Sequence, residues 1–379
     1  MTISKGVIIT KASPHTIKKF ELITMYIESW AQKLMLNKQC KGLIFIDCMC
    51  NSGVYENQNG KLIDGTPIRV AKVLLDVART YTNKMVNIYF NDLNKARVCE
   101  LEKHLPENER NFKIITSSKD AVDLLEHIGP QLSETSHYNY FLLYDPYDAH
   151  IDWKVLLPFF RHWGEVMINH ALLDPVRAIT STKSDTAIEK YERTYLTDFE
   201  NLVPYGSDKK AYEKRISQIL NYIKGNRRYY IASFPFYNSK NSLQYDLIHC
   251  TSNIEGYKLY KKCAWKVFGG KSSTKRTGSQ YIQLEMNFDE KSKSEIDEPI
   301  DEGCYTIHDV AGYLQHVFSG QEKVPLDEIW SVLADHPIFP YDVFRKEIKN
   351  ELIQYYQAKR VIEKDIRTGK RRETISFKG

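Results

Sequence analysis

From Leu43 to Pro146 the chain alternates short apolar runs of strand character with segments of helical period, and no other feature limits its fold so strongly. "LIFID" (43–47), "VNIYFND" (86–92), "FKIITS" (112–117) and "YNYFLLYDP" (138–146) read as strands. Between them, "GTPIRVAKVLLDVARTY", "KARVCELEKHL" and "KDAVDLLEHI" place apolar residues three and four apart and read as helices. Strict alternation implies a parallel sheet with helices on both faces, because parallel neighbours need a crossover and a helix supplies it. "VMINHAL" and "LQYDLIHCTS" are further strands, with a helix-rich insertion over 178–224 between them. Ahead of the first strand, Ser13-Pro14 followed by Ile17, Phe20, Ile23, Ile27, Trp30 and Leu34 reads as a capped amphipathic helix lying across the sheet or a pocket mouth.

In an open parallel sheet a ligand sits outside the carboxyl ends of the strands, so the residues just past those ends are the candidates. Here they are Asp47 with the loop Cys50 to Gly53, then Asn91-Asp92, Asp120, and Asp145-Pro146-Tyr147-Asp148. An acid after the second strand accepts hydrogen bonds from both ribose hydroxyls and repels phosphate, so Asp92 points to a nucleoside. The first loop holds one glycine where a dinucleotide loop has Gly-x-Gly. Asn tolerates positive φ best among non-glycine residues, so Asn51 takes the turn, and Gly53 leaves a ligand room to approach the backbone. Acids at strand ends also cap helices, and that reading stays open for each of them taken alone.

Of the 379 residues 42% are hydrophobic, enough for a sizeable core. No run approaches the ~20 apolar residues of a membrane span and no signal peptide stands at the N-terminus, so a cytoplasmic protein is expected. The seven cysteines (Cys40, Cys48, Cys50, Cys99, Cys250, Cys263, Cys304) are scattered and never spaced C-x-x-C, which suggests neither a zinc site nor a disulfide framework, and no metal is expected. The stretch 225–245, basic and rich in aromatics, suits either a splayed nucleotide or a strand with interior aromatics.

The net charge of +5 is modest, but its distribution is uneven. "NFDEKSKSEIDEPIDEG" (287–303) is polar and acidic and reads as a linker, dividing the chain into a domain over 1–285, a tether over 286–302 and a second domain over 303–379. In the last part three short helices, "YTIHDVAGYLQHVF", "LDEIWSVLAD" and "YDVFRKEIKNELIQYY", precede a hairpin turning at Thr368-Gly369. That is the pattern of a winged helix-turn-helix. Its third helix and hairpin carry Arg345, Lys346, Lys349, Arg371 and Arg372, which suit phosphate contacts with DNA or RNA. Winged helices also dock proteins, so both partners stay open.

The motifs "HTIKK" (15–19), "FIDCMCNSGVY", "DGTPI", "YFNDLN", "LLYDPYDAHIDW" and "YDLIHCTSNIEGYK" together resemble the three-Cys-motif partner proteins of bacteria. The resemblance implies an α/β, Rossmann-like, doubly wound, mostly parallel core of the class I S-adenosylmethionine-dependent methyltransferase type. It aligns Asp47, Cys50, Asn51, Ser52 and Gly53 with a D-x-F-A-G-P-G loop, Asp92 with the family's acid, and Asp145-Pro146-Tyr147 with D-P-[FY]-G, Asp148 replacing that glycine. Asp47, Cys50, Asn51, Gly53, Asp92 and Asp120 then line an S-adenosylmethionine site. Asp145, Pro146 and Tyr147 resemble the [DN]-P-P-[YFW] element of amino-group methyltransferases, which implies methylation of nucleic acid, with a base amino group as target. The same resemblance leaves an alternative: a catalytically silent binding partner of a three-cysteine-motif protein.

Overall fold

Ser13 starts the first long helix, its Oγ accepting from the Thr16 amide at 3.2 Å while Pro14 fills the first turn. The computed structural model describes residues 9–134, 137–146, 150–171, 185–198, 219, 221–223, 225, 229–276, 304–364 and 371–379. A short strand β1 (Thr10–Lys11) precedes α1 (Pro14–Leu36), whose Phe20, Ile23, Tyr26, Ile27 and Trp30 are buried. β2 (Gly42–Asp47) is buried along its whole length. Strict alternation then breaks once, because β3 (Val54–Glu56) and β4 (Leu62–Asp64) form a hairpin before α2 (Thr66–Thr80). Its turn is made locally: Asn57 Oδ1 accepts from the amides of Asn59 and Lys61, and Gly60 takes φ +75°.

The chain continues through β5 (Met85–Asn91), α3 (Lys95–Glu102), β6 (Phe112–Ser117), α4 (Ala121–Glu134), β7 (Tyr138–Tyr144), α5 (Trp153–Leu156) and β8 (Gly164–Ala171). α6 (Asp185–Tyr195) lies in the insertion, of which 185–198, 219 and 221–223 are described. β9 (Tyr230–Tyr237), β10 (Leu243–Thr251) and α7 (Ile254–Val267) complete this part. The aromatic stretch 225–245 therefore supplies a strand, with Phe234 and Phe236 inside.

Seven strands form one sheet in the order β6-β5-β2-β7-β8-β10-β9, parallel except for β10, which runs against both its neighbours. The order reverses between β2 and β7, and that is the switch point. Alternation along the strands feeds two cores: Phe45, Phe141, Leu143 and Met167 pack toward α1, α2 and α7, whereas Ile44, Ile46, Leu142 and Val166 pack toward α4, α5 and α6.

The last part comprises α8 (Ile307–Val317), β11 (Val324–Pro325), α9 (Leu326–Asp335), α10 (Arg345–Gln354), β12 (Lys359–Lys364) and β13 (Arg371–Ser376), with sheet order β11-β13-β12. Its apolar residues, among them Leu314, Ile329, Leu333 and Ile348, belong to the same buried cluster as α7. Three polar links reinforce this junction. Tyr257 Oη donates to the His336 carbonyl at 3.0 Å, Trp265 Nε1 to that of Ile338 at 2.8 Å, and the fully buried Lys261 ammonium to those of Leu333, Ala334 and His336 at 2.6–3.0 Å. The acidic segment 286–302 and the turn at Thr368-Gly369 lie outside the described residues. Among the described residues no helix is long and apolar enough to cross a membrane.

Candidate functional site

The loop after β2 is tied to its neighbours by backbone. Cys50 donates its amide to the Asn91 carbonyl at 2.8 Å, which pulls the loop toward the end of β5. Asn51 takes φ +60° and Gly53 φ +70°, so both left-handed turns form, one of them without glycine. Asn51 Oδ1 steadies the turn by accepting from the Ser52 amide at 2.7 Å. Packing also excludes a side chain at Gly53: a Cβ there would lie 2.5 Å from a Leu101 methyl and 3.1 Å from Ile68. Asn91, named in the sequence only as a strand-end residue, stitches the strand ends together through its side-chain amide. Its Nδ2 donates to the carbonyls of Cys48 and Lys119, and its Oδ1 accepts from Ser117 Oγ and the Lys119 amide.

Asp47 is 2% exposed and accepts from the Met49 amide at 3.2 Å. Burial first, then the charges of Asp145 and Asp92, push its carboxyl up to about 8, against the opposing pull of the Met49 amide and Lys19. Asp47 is therefore mostly protonated at neutral pH. Burial and the same acids raise the thiols of Cys48 and Cys50, which stay neutral and unreactive.

Asp92 is 1% exposed, and both its oxygens are engaged: Oδ2 accepts from the Asn51 amide at 3.0 Å and Oδ1 from the Asn94 amide at 2.8 Å. Arg97 Nη1, itself buried, stands 3.8 Å from Oδ2. Asp120 is exposed and caps α4 by accepting from the Val122 amide at 2.8 Å.

Asp145, just past β7, is held from two sides. Lys19 Nζ of α1 donates to Oδ2 at 2.6 Å, and Asn169 Nδ2 of β8 donates to Oδ1 at 2.6 Å. The Lys19 ammonium also lies 5.3 Å from the centre of the Tyr245 ring, whose hydroxyl donates to the His15 carbonyl at 3.2 Å. Burial and Asp145 raise the Tyr245 phenol, while burial and Lys19 lower His15. The first turns of α1 thus close over the ends of β7, β8 and β10. Lys19 and His15 entered the sequence reading only as part of a motif, and nothing local marked them as neighbours of Asp145. Pro146 is half-buried; Tyr147 and Asp148 lie outside the described residues.

In the C-terminal part, Arg345 stacks over Trp330 and Tyr341 at 5.3 and 5.0 Å and donates to the Tyr341 carbonyl. Lys349 and Arg360 share Glu373 Oε1 at 2.8 and 2.7 Å, and the Lys349 hydrogen bond leads in lowering the Glu373 carboxyl. Lys346 is exposed. Arg371 and Arg372 lie on β13, with side chains outside the described set.

Numbered in chain order, the seven strands of the sheet lie side by side as 3-2-1-4-5-7-6 with the seventh reversed, which is the class I methyltransferase form of the Rossmann-like fold. No protein-family model matches the chain, and no curated protein matches it. Among solved structures it is similar to Trm1 from Pyrococcus horikoshii in complex with S-adenosyl-L-methionine, at 11% identity over 65% of this chain and 57% of that one, with a TM-score of 0.35. It is also similar to the O-methyltransferase TomG from Streptomyces achromogenes (12% identity, 61% and 79% covered, TM-score 0.31) and to an O-methyltransferase from Bacillus cereus in complex with SAH (12%, 59% and 80%, 0.27). The chain spans little more than half of the Trm1 chain.

A nucleoside carrying an amino-acid tail needs acceptors for its hydroxyls and a cation for its carboxylate. The tail end fits, since Lys19 presents a fixed ammonium beside Asp145 and Asn169. At the ribose end Asp92 is closed by its own loop, so a diol meets this carboxylate only after the Asn51 amide turns away. Among the described residues no group of three His, Cys, Asp or Glu side chains is placed to hold a metal ion.

Proposed function

We propose that the chain is an S-adenosylmethionine-dependent methyltransferase-like protein acting on nucleic acid, with a base amino group as the target. The observation that carries this reading is convergence: Asp47, Asp92 and Asp145 follow three different parallel strands, yet the latter two both act on the Asp47 carboxyl, and Lys19 joins them. The cofactor, when bound, supplies a methyl group on a sulfonium. Asp145 keeps lone pairs beyond its bonds to Lys19 and Asn169, and an exocyclic amine donating to one of them would be held with its own lone pair free. Pro146 restricts the strand exit, and Tyr147 is assigned the stacking face for a base.

The C-terminal part, read as a winged helix, has the required order of helices, strands and sheet. Lys346, Arg371 and Arg372 are its proposed phosphate contacts. Arg345 and Lys349 are better placed to hold the module together, because aromatic rings and Glu373 already engage them.

A second reading has its own support. The closed carboxylate of Asp92 favours a binding protein that retains the fold without turnover, and the motif resemblance to three-Cys-motif partner proteins names one such role. Calorimetry with S-adenosylmethionine and label transfer from it to total RNA and DNA separate the two. Binding with transfer supports the first. Absence of binding at millimolar cofactor overturns it in favour of the second.

A further inference from the structure

We propose that Lys19 binds the α-carboxylate of the cofactor's amino-acid tail, with Asp145 and Asn169 as the residues that position it; this rests on the cofactor reading above. Lys19 is 9% exposed, and its ammonium uses one of three N–H donors on Asp145. Two donors remain for a ligand. The ammonium is also pre-positioned. Asp145 is fixed by Asn169, the Tyr245 ring lies beside the ammonium, and the Tyr245 hydroxyl together with the Ser13 cap anchors the turn of α1 that carries Lys19. Little side-chain freedom is left to lose on binding.

The charges call for this class of ligand. The Asp92 and Asp145 carboxylates stand at the switch point beside the protonated Asp47, so an anion without a cation of its own is repelled there, whereas a zwitterion presents its carboxylate to Lys19 and its ammonium to these two acids. A ligand carboxylate would take a charge-assisted hydrogen bond from a free N–H of Lys19, whose compact ammonium acts as a point charge. The arrangement makes α1 part of the site although it precedes the whole sheet in sequence.

The test compares S-adenosylhomocysteine with 5′-methylthioadenosine, which shares the nucleoside and the thioether sulfur but lacks the amino-acid tail. Calorimetric titration of the full chain is run for wild type, Lys19→Met and Lys19→Gln, each first shown to be folded by its melting curve. Gln keeps a polar N–H group on the same stem while removing the charge. Both substitutions should weaken S-adenosylhomocysteine at least tenfold, about one charge-assisted contact, and leave methylthioadenosine within about twofold. Unchanged S-adenosylhomocysteine affinity in a folded variant overturns the proposal, as does a parallel loss of both compounds. Equal affinity of the wild type for both compounds overturns it as well, while leaving the cofactor reading intact. A wild type that binds neither removes both.

Discussion

Lys19 and Lys261 sit on helices that pack against the same face of the sheet, 9% and 0% exposed, yet their ammonium groups meet different partners. Lys261 gives all three N–H groups to carbonyls at the end of α9, where the helix dipole is negative, and has none to spare. Lys19 gives one to a carboxylate. A cation saturated by backbone can only hold two elements together, because the backbone cannot leave and no donor remains for a ligand. One paired with a carboxylate at a strand end keeps donors for something else. The contrast separates the joint between the two parts of the molecule from the site at the switch point.

The largest effect is expected at the joint. Lys261→Met takes the ammonium donor from the buried carbonyls of Leu333 and Ala334, while that of His336 keeps Tyr257 Oη, and should lower stability by about 3 kcal/mol, read by chemical or thermal unfolding. For the same reason, deleting 303–379 should destabilise the remaining core, whose α7 would lose its apolar cover. A truncated core that melts like the full chain would show the joint to be superficial.

Lys19→Met should cost less, about 1 kcal/mol, because Asp145 keeps Asn169 and its side chain is 26% exposed. Equal losses for Lys19→Met and Lys261→Met would erase the distinction.

The two regions should also titrate in opposite senses. Asp47 is raised from 3.8 to about 8 and Asp246, by burial, to about 7, so the folded state binds protons the unfolded state has released. Their stabilisation is complete below pH 3.8 and is lost as pH climbs toward 8. Burial lowers Lys261 from 10.5 to about 7, against the pull of Asp335. The unfolded state then binds the extra proton, and stability rises again from about pH 7 to 10.5. Melting temperatures across pH should therefore pass through a minimum near pH 7 to 8. Asp47→Asn should flatten the acid limb, and Lys261→Met the alkaline one.

The smallest expected change lies at the surface of the C-terminal part. Lys346→Ala should leave the melting temperature unchanged while reducing the salt dependence of nucleic-acid affinity by about one unit of slope. Arg345→Ala should do the reverse, destabilising through the lost stack on Trp330 and Tyr341.

Much of the fold was legible because its signals are short-range. The runs at 43–47, 86–92, 112–117 and 138–146 are apolar enough to be strands wherever they go, and the crossover helices between them force a parallel sheet. Asn51 was readable for the same reason: its positive φ is a property of the residue and its turn. The hairpin at Val54–Asp64 was missed although its Asn-Gly turn is also local, because the alternation pattern was carried straight through it.

The sequence by itself determined the main strands of the sheet and its crossover helices, their order and the acids at the strand ends. Only the tertiary structure decided what those acids do, because their partners arrive from far along the chain. Lys19 stands 126 positions from Asp145, and the Asn51 amide 41 from Asp92. No local rule says that α1 will lay an ammonium on one carboxylate or that a loop amide will close another. Those outcomes follow from burial, which requires every charge withdrawn from water to find a partner, and the packed fold alone sets which partner is within reach.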